Sequence, residues 1–89
     1  MAPRITILLP VYNGERHIGE AIESALAQTE REFELLIGDD GSTDGTLGVV
    51  ARYRDPRIRL VQAPRNRGQF PNINALLPHV RTPLVKFLC

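Results

Sequence analysis

Cysteine and long apolar runs are scarce in this chain of 89 residues. Cys89 is the single cysteine, so no internal disulfide can form and a metal site built from paired cysteines lacks its ligands. This favours a cytoplasmic protein. The longest apolar run near the start, residues 5–11, is interrupted by Pro10 and is far shorter than the roughly 20 residues that span a membrane. We therefore expect neither export nor membrane insertion.

Lysine is almost absent, since ten of the eleven basic residues are arginines, and no stretch alternates basic with aromatic residues. A nucleic-acid partner is therefore not expected. The charge is uneven along the chain: residues 1–44 hold nine acidic and three basic residues, and residues 45–89 hold one acidic and eight basic residues. The second half could face an anion, or the two halves could neutralise each other by packing together.

No repeat, linker or low-complexity segment divides the chain, and its 43% hydrophobic and 24% charged residues are typical of a soluble globular domain. We interpret residues 1–89 as one unit. Four short, mostly apolar runs have the composition of strands buried on both faces. They are residues 5–9, 33–37, 58–62 and 84–88.

Three segments between these strands carry apolar residues at helical spacing. The first helix has Asn13 as its predicted N-cap. Its apolar positions are Ile18, Ala21, Ile22, Ala25 and Leu26.

The second and third predicted helices are shorter. In the second, the competing caps are Ser42, Thr43 and Asp44, and the apolar positions are Leu47, Val50 and Ala51. The third has Pro71 in its first turn and is expected to end early at Pro78. Its apolar positions are Ile73, Leu76, Leu77 and Val80.

Strands that alternate with helices predict an α/β fold, here a three-layer, Rossmann-like α/β/α arrangement with a mainly parallel sheet and right-handed crossovers. If strands two and three grow outward on one side of strand one, strand four lies on the other side and the strand order is 3-2-1-4. Ligands of open α/β sheets bind beyond the carboxyl ends of the strands at such a switch point. Chemistry is therefore expected in the loops after Leu9, Ile37 and Leu88.

The first of these loops carries an aromatic ring. Tyr12 could stack on a planar base, with Pro10 stiffening its approach. A tyrosine that covers the top of the sheet and keeps its hydroxyl in water is the commoner arrangement. Position alone leaves both interpretations open.

The second loop follows two adjacent carboxylates, Asp39 and Asp40. Consecutive side chains diverge, so one carboxylate could accept a hydrogen bond from a base or a ribose while the other braces the amides of the loop. An Asx turn with a helix cap accounts for Ser42, Thr43 and Asp44. That interpretation does not explain why two adjacent acidic residues, Asp39 and Asp40, lie at the rim of the sheet.

A further loop, residues 64–69, follows the third strand, and we call it the third loop. It brings Arg65 and Arg67 to the start of the third helix. Guanidinium groups offer forked donors to phosphate oxygens, and a helix N-terminus adds a favourable dipole. A diphosphate is therefore a reasonable guest, although a solvated surface loop fits equally well.

Several chemistries lack their motifs. The sequence has no nucleophile elbow, no phosphate-loop lysine motif and no G-x-G-x-x-G turn. His17 and His79 have no partner at metal-ligand spacing and are expected at the surface or at helix ends. Cys89 is expected to be a small buried residue.

Three motifs, taken together and in order, resemble the family-two glycosyltransferases. They are residues 5–14 (ITILLPVYNG), 25–29 (ALAQT) and 33–46 (FELLIGDDGSTDGT). The resemblance continues through residues 65–68 and 84–88 and so covers almost the whole chain. The DDGSTD run is specific only because its partners occur in the same order.

This resemblance implies the GT-A fold, with the chain as the N-terminal, nucleotide-binding part of a domain that transfers a sugar from a nucleotide-sugar donor to an acceptor. Tyr12 would stack on the base, Asp40 would meet the base, most often uracil, and Asp39 would support its loop. Arg67 would lie near the diphosphate or ribose. The nucleotide-binding set implied for this chain is Pro10, Tyr12, Asn13, Asp39, Asp40 and Arg67.

The chain departs from the family pattern after its fourth strand. Relatives carry there an acidic D-x-D-like segment that holds the ribose and a divalent metal, Mg or Mn, and later an acidic general base and an acceptor site. The sequence ends at Cys89, before those elements. We therefore expect the metal, the saccharide or lipid-linked acceptor and turnover itself to belong to a longer enzyme, cytoplasmic or at the inner face of the membrane.

Two further expectations concern partners. A non-catalytic nucleotide-binding or interaction module is the alternative to an enzyme, because the same loops could hold a base and a diphosphate without transferring anything. A fourth strand at the edge of the sheet leaves backbone donors and acceptors unpaired, which predicts a homo-oligomer formed through residues 84–88.

Overall fold

The computed structural model describes residues 3–28 and 31–88. Within those ranges the chain forms four parallel strands, three α-helices and one 3₁₀ turn. In chain order they are β1 (Ile5–Val11), α1 (Ile18–Leu26), β2 (Phe33–Asp39), α2 (Thr46–Val50), β3 (Ile58–Gln62), α3 (Gln69–Leu76), the 3₁₀ turn (Leu77–His79) and β4 (Leu84–Phe87). The expectation for Cys89 lies outside the described residues.

The strand order β3-β2-β1-β4 confirms the predicted topology. β1 and β2 each run two residues beyond the predicted ends, because Pro10 pairs with Gly38 and Val11 with Asp39. Even-numbered residues of β1 bond toward β4, as the carbonyl of Leu8 does when it accepts from the amide of Leu88. Pro10 is the next residue on that side and lacks an N–H, so it cannot extend this pairing.

The two faces of the sheet build separate cores, because side chains alternate along a strand. One face packs against α1 and α2 through the odd-numbered apolar residues of β1 and β2, such as Ile7 and Leu35. The other face packs against α3 through Leu8, Leu36 and Leu76. All seven residues of β2 are buried, which explains its nearly continuous apolar sequence.

The start of α1 differs from the prediction. The helix buries Ile18, Ile22 and Ala25 as its spacing requires, but its N-cap is His17 and no side chain caps it. The carbonyl of Gly14 accepts from the amides of His17 and Ile18, at 2.9 and 2.8 Å. The assignment of Asn13 as a helix cap is therefore wrong, because a backbone turn separates Asn13 from the helix.

The predicted caps of α2 are also wrong, since Gly45 occupies the N-cap and makes no side-chain bond. Asp44 instead accepts from the amide and the hydroxyl of Thr46, at 3.0 and 2.5 Å. Val50 is buried, whereas Ala51 is exposed just past the helix end. The helix is shorter than the spacing suggested, so Ala51 never reaches the core face.

α3 lies directly on Gly38 of β2. A Cβ at that position would lie 2.7 Å from Leu76 Cδ1 and 2.9 Å from Asn72 Oδ1, so any larger residue would force these two side chains to shift. Asn72 is buried and donates from Nδ2 to the carbonyl of Gly38 at 2.9 Å. The α-helix ends before Pro78, as predicted, but Leu77 lies in the 3₁₀ turn and is 47% exposed instead of packed.

Glu34 joins the acidic and the basic halves of the chain below α3. Its buried carboxylate accepts from Arg59 Nη1 at 2.5 Å and from Arg81 Nη2 at 2.8 Å. Burial opposes the charge, but the hydrogen bonds from Arg81 and Arg59 and the attraction of both outweigh it and hold the pKa of Glu34 below its usual range. Here the uneven charge is neutralised by packing.

We expect Glu34→Gln to lower the free energy of unfolding at neutral pH by about 1–3 kcal/mol, because two charge-assisted bonds are weakened. The depressed pKa of folded Glu34 means that the wild-type advantage is complete above the ordinary glutamate pKa and is lost as pH falls through the folded value. Urea denaturation at neutral pH and at about pH 3 measures both effects. A gap between the two proteins that persists undiminished at the acid end would contradict this, and Glu20→Gln, at an exposed site on α1, is the control.

β4 is the exposed edge of the sheet. Among residues 3–28 and 31–88 it pairs only with β1, and its apolar residues Leu84, Val85 and Phe87 are each more than 40% exposed. No helix in the described part of the chain is long and apolar enough to cross a membrane. Self-association through β4 stays a prediction.

Sedimentation velocity checks this prediction. We expect the chain to associate at micromolar concentration and Val85→Lys to shift it toward the monomer, because a lysine on an edge strand opposes strand pairing. Leu77→Lys, at a similarly exposed leucine outside the sheet, is the matched control. A wild-type chain that stays monomeric across this range would rule out the homo-oligomer.

Candidate functional site

The pairing of β1 with β2 brings Tyr12 and Asp40 together. Val11 pairs with Asp39, and the amide of Asp40 donates to the carbonyl of Val11 at 2.9 Å. Because side chains alternate, the next pair, Tyr12 and Asp40, points to the face covered by α3, whereas Val11 and Asp39 point to the opposite face. A ring and a carboxylate from two loops therefore share one face at the carboxyl edge of the sheet.

A crevice of about 390 Å³ opens at this edge. Its volume lies within the range of small-molecule sites. The residues that line it are Pro10, Val11, Tyr12, Asp40, Asn66, Gly68 and Gln69. Tyr12 is 46% exposed, so part of this residue is accessible to a ligand in the crevice.

Three of the six predicted nucleotide-binding residues, Pro10, Tyr12 and Asp40, line this crevice. The other three, Asn13, Asp39 and Arg67, do not. Asn66, Gly68 and Gln69 of the third loop complete the lining. The arginines of that loop were predicted to bind a diphosphate, whereas the residues of the loop that line the crevice are two amides and a glycine.

Asp40 is only 2% exposed, and both of its oxygens are hydrogen-bonded. Oδ1 accepts from the backbone amide of Arg67 at 3.1 Å, and Oδ2 accepts from that of Gly68 at 2.9 Å. A carboxylate has about four acceptor sites, so these two bonds leave capacity for a further donor in the crevice. Asp40 thus braces the third loop while it lines the crevice.

Asp39 lies on the other face and braces its own loop. Its Oδ2 accepts from the backbone amide of Ser42, three residues further along the chain, at 3.1 Å. Its Oδ1 is buried and has no partner among the described residues. The divergence expected of adjacent side chains is observed, with a different loop held by each carboxylate.

Asn13 ties the first loop to the second. It adopts φ 50°, in the left-handed region that asparagine tolerates well. Its side-chain oxygen Oδ1 accepts from the backbone amides of Thr43 and Asp44 at 2.8 and 3.3 Å. Its backbone amide donates to Ser42 Oγ at 2.9 Å. The polar run from Ser42 to Asp44 therefore serves these contacts instead of capping α2.

Asp44 and Thr46, which follow β2, also accept hydrogen bonds from the first loop. Its Oδ2 accepts from the amide of Glu15 at 3.3 Å, and Thr46 Oγ1 accepts from the amide of Gly14 at 2.9 Å. The hydrogen bond from the Thr46 side chain holds the pKa of the Asp44 carboxyl below its usual range. The first two loops are thereby fixed to each other beside the crevice.

Arg65 and Arg67 are exposed, and neither takes part in the ion pairs of residues 3–28 and 31–88. The crevice itself contains no basic side chain. Both arginines flank Asn66, which lines the crevice, and both are exposed to solvent.

The described residues do not fit a metal ion. No group of three histidine, cysteine, aspartate or glutamate side chains within residues 3–28 and 31–88 could hold one. Asp39 and Asp40 are adjacent in sequence, but their side chains lie on opposite faces, and three of their four oxygens accept backbone amides.

A sequence profile of the family described as Glycosyl transferase family 2 matches residues 6–88. The succinoglycan biosynthesis protein ExoO of Rhizobium meliloti (strain 1021) is 46% identical over 66 residues, which cover 74% of this chain and 19% of ExoO. The UDP-Glc:alpha-D-GlcNAc-diphosphoundecaprenol beta-1,3-glucosyltransferase WfgD of Escherichia coli is 34% identical over 84 residues, covering 94% of this chain and 33% of WfgD.

A solved structure shares the fold. The mannosyltransferase PcManGT from Pyrobaculum calidifontis, in complex with GDP-Man and Mn²⁺, superposes with a TM-score of 0.81 at 30% identity. The match covers 91% of this chain and 25% of PcManGT. The chain thus spans a third or less of the length of each of these three proteins.

We expect Asn13→Ala to lower the free energy of unfolding by about 1–2 kcal/mol, because two loop amides lose their acceptor and alanine disfavours a positive φ. Asn13→Asp keeps an acceptor and tolerance of that backbone conformation, so it should recover most of the loss. Chemical denaturation gives both values. Asn74→Ala, at an exposed asparagine of α3, is the control, and equal losses at the two positions would contradict a special role for Asn13.

Proposed function

Because the chain belongs to glycosyl transferase family 2, a family of sugar-transferring enzymes, we propose that its crevice binds the nucleotide of a nucleotide-sugar donor. The observation that carries this proposal is the shared crevice of Tyr12 and Asp40, an exposed ring beside a buried carboxylate. A heterocyclic base needs a flat apolar surface and a polar partner at its edge, and these two side chains offer both.

The proposal gives each group a task. The ring of Tyr12 stacks on the base, an interaction worth about 1–3 kcal/mol for a base on an aromatic side chain. Asp40 uses its remaining acceptor capacity to take an N–H from the edge of the base. Asn66 and Gln69 border the same crevice and offer amide groups to the base or the ribose.

Arg67 is proposed to meet the diphosphate. Its backbone is held at the crevice by Asp40, while its side chain extends into solvent and is free to turn toward a bound anion. A guanidinium group matches the forked geometry of phosphate oxygens. Asn13 and Asp39 act indirectly, since they hold the two loops that carry Tyr12 and Asp40.

The reaction proposed for the whole enzyme is transfer with inversion. The oxygen of an acceptor hydroxyl attacks the anomeric carbon in line with the leaving diphosphate, the bond to the diphosphate oxygen breaks, and the hydroxyl proton passes to a general base. The described residues bind and orient the donor. None of them is assigned as that base.

The donor is proposed to be a UDP-sugar. WfgD, named for UDP-Glc, supports uracil, whereas PcManGT was solved with GDP-Man. Both bases present an N–H at the edge that Asp40 would meet, so the carboxylate alone does not separate them.

The acceptor is proposed to be a saccharide, free or lipid-linked. The name of WfgD includes a diphosphoundecaprenol-linked sugar, which supports a lipid-linked acceptor and work in the cytoplasm at the inner face of the membrane. PcManGT was solved with Mn²⁺, which supports a divalent metal in the whole enzyme. Such a metal needs ligands beyond the described residues.

Calorimetry with UDP, GDP and ADP tests the nucleotide site. We expect UDP to bind more tightly than ADP, and Tyr12→Leu to weaken UDP binding about tenfold through loss of stacking. Phe70→Leu is the matched control, because Phe70 is 78% exposed, lies close to the site in sequence and does not line the crevice. Equal losses for the two variants, or no nucleotide binding by the wild type, would contradict the proposal.

A transfer assay separates the enzyme from a non-catalytic nucleotide-binding module. The enzyme containing this chain should transfer labelled sugar from the donor whose nucleotide binds best. Nucleotide binding without any transfer by that enzyme would favour the module.

A further inference from the structure

The geometry points to a positioning role for Asp40 and Gly41, which together fix the third loop above the crevice. We call residues 64–68, the part of the third loop that precedes α3, the arginine loop. We infer that these two residues couple the base site to the arginine loop, so that Arg67 contributes to nucleotide binding only while the pair holds the loop. The coupling to binding rests on the proposed nucleotide site, whereas the positioning itself does not.

Gly41 helps to position the arginine loop through close backbone contact. A Cβ at Gly41 would lie 2.3 Å from the carbonyl carbon of Arg65, 2.5 Å from its Cα and 2.6 Å from the amide nitrogen of Asn66. Those are backbone atoms, so no side-chain rotation relieves the clash. Gly41 also adopts φ 72°, which favours glycine for a separate reason. The arginine loop therefore rests directly on the backbone that follows β2.

Asp40 helps to position the same loop through hydrogen bonds. Its two oxygens accept from consecutive amides, those of Arg67 and Gly68. Gly68 is the N-cap of α3 and has φ 101°, so the turn into the helix is held from outside the helix. Asn66 Oδ1 adds a bond within the loop by accepting from the amide of Gly68 at 3.0 Å.

The Asp40 carboxylate therefore has two roles: it lines the crevice, and it holds the arginine loop in place. Asp40 is nearly inaccessible, lines the crevice and holds the loop whose Asn66 and Gly68 form another wall of the same crevice. Moving the carboxylate therefore moves that wall and the arginine that follows Asn66. Asp40 and Gly41 therefore couple the stacking of a base on Tyr12 to the binding of its phosphates by Arg67.

The first experiment uses the free chain and needs no nucleotide. Amide hydrogen exchange followed by NMR should show protection at Arg67 and Gly68 in the wild type. Asp40→Asn should lower it at least about tenfold at Arg67, because one carbonyl oxygen cannot replace two carboxylate oxygens, and less at Gly68, whose amide keeps Asn66 Oδ1 as a second acceptor. Asp55→Asn is the matched control, because Asp55 also accepts a backbone amide, that of Arg57, and lies far along the sheet from the crevice. Unchanged protection of Arg67 and Gly68 in Asp40→Asn would overturn the positioning role.

The second experiment measures the coupling with UDP and, in parallel, GDP as probes. Arg67→Gln should weaken binding of the diphosphate at least about fivefold in the wild-type background and less than about twofold in Gly41→Asn, because the loop is already displaced. Asparagine tolerates a positive φ, so this variant tests the contact with Arg65 and not backbone strain. Uridine, which lacks the diphosphate, should bind equally well with and without Arg67→Gln.

The two claims fail in different ways. The same fold-loss from Arg67→Gln in both backgrounds would overturn the coupling, even if nucleotides bind. A wild-type chain that binds neither UDP nor GDP would contradict the proposed function, while amide exchange in the free chain still decides the positioning role. If Gly41→Asn does not fold, Asp40→Asn takes its place as the background for Arg67→Gln, with the same two outcomes.

Discussion

The parallel register of β1 against β2 is the constraint on which the rest of the site depends. With Val11 opposite Asp39, the next residues, Tyr12 and Asp40, lie side by side on the face of α3. A slip by one residue would turn one of them to the other face and separate the ring from the carboxylate. The register is fixed by the buried apolar side chains of both strands, so the core that stabilises the fold also sets the site.

Polar side chains then attach the loops to one another through the backbone. Asp40 holds the amides before α3, Asn13 holds those after β2, and Asp39 closes the turn that begins there. Because the donors are backbone amides, these bonds fix the path of the chain independently of the side chains of the donor residues. Three loops that follow different strands thereby become one rim around the crevice.

Much of this fold could be predicted from the sequence, because apolar runs and helical spacing report burial directly. The strand order and the meeting of Tyr12 with Asp40 followed from the parallel arrangement. The contacts of Asn13 and Asn72, and the contact of Asp44 with Glu15, could not be predicted, since these partners lie about 30 residues away in the chain. Local preference assigned Asn13 and Asp44 to helix caps, whereas loops brought together by the sheet offered them other donors.

The most direct test of a shared base site is a set of nuclear Overhauser contacts from the base protons of bound UDP. The account predicts contacts to the ring of Tyr12 and to backbone protons of Gly68 and Gln69. Contacts that instead reach the opposite end of the sheet, near Arg57 and Arg81, would contradict it, because the crevice formed by the β1–β2 register would then not be where the nucleotide binds.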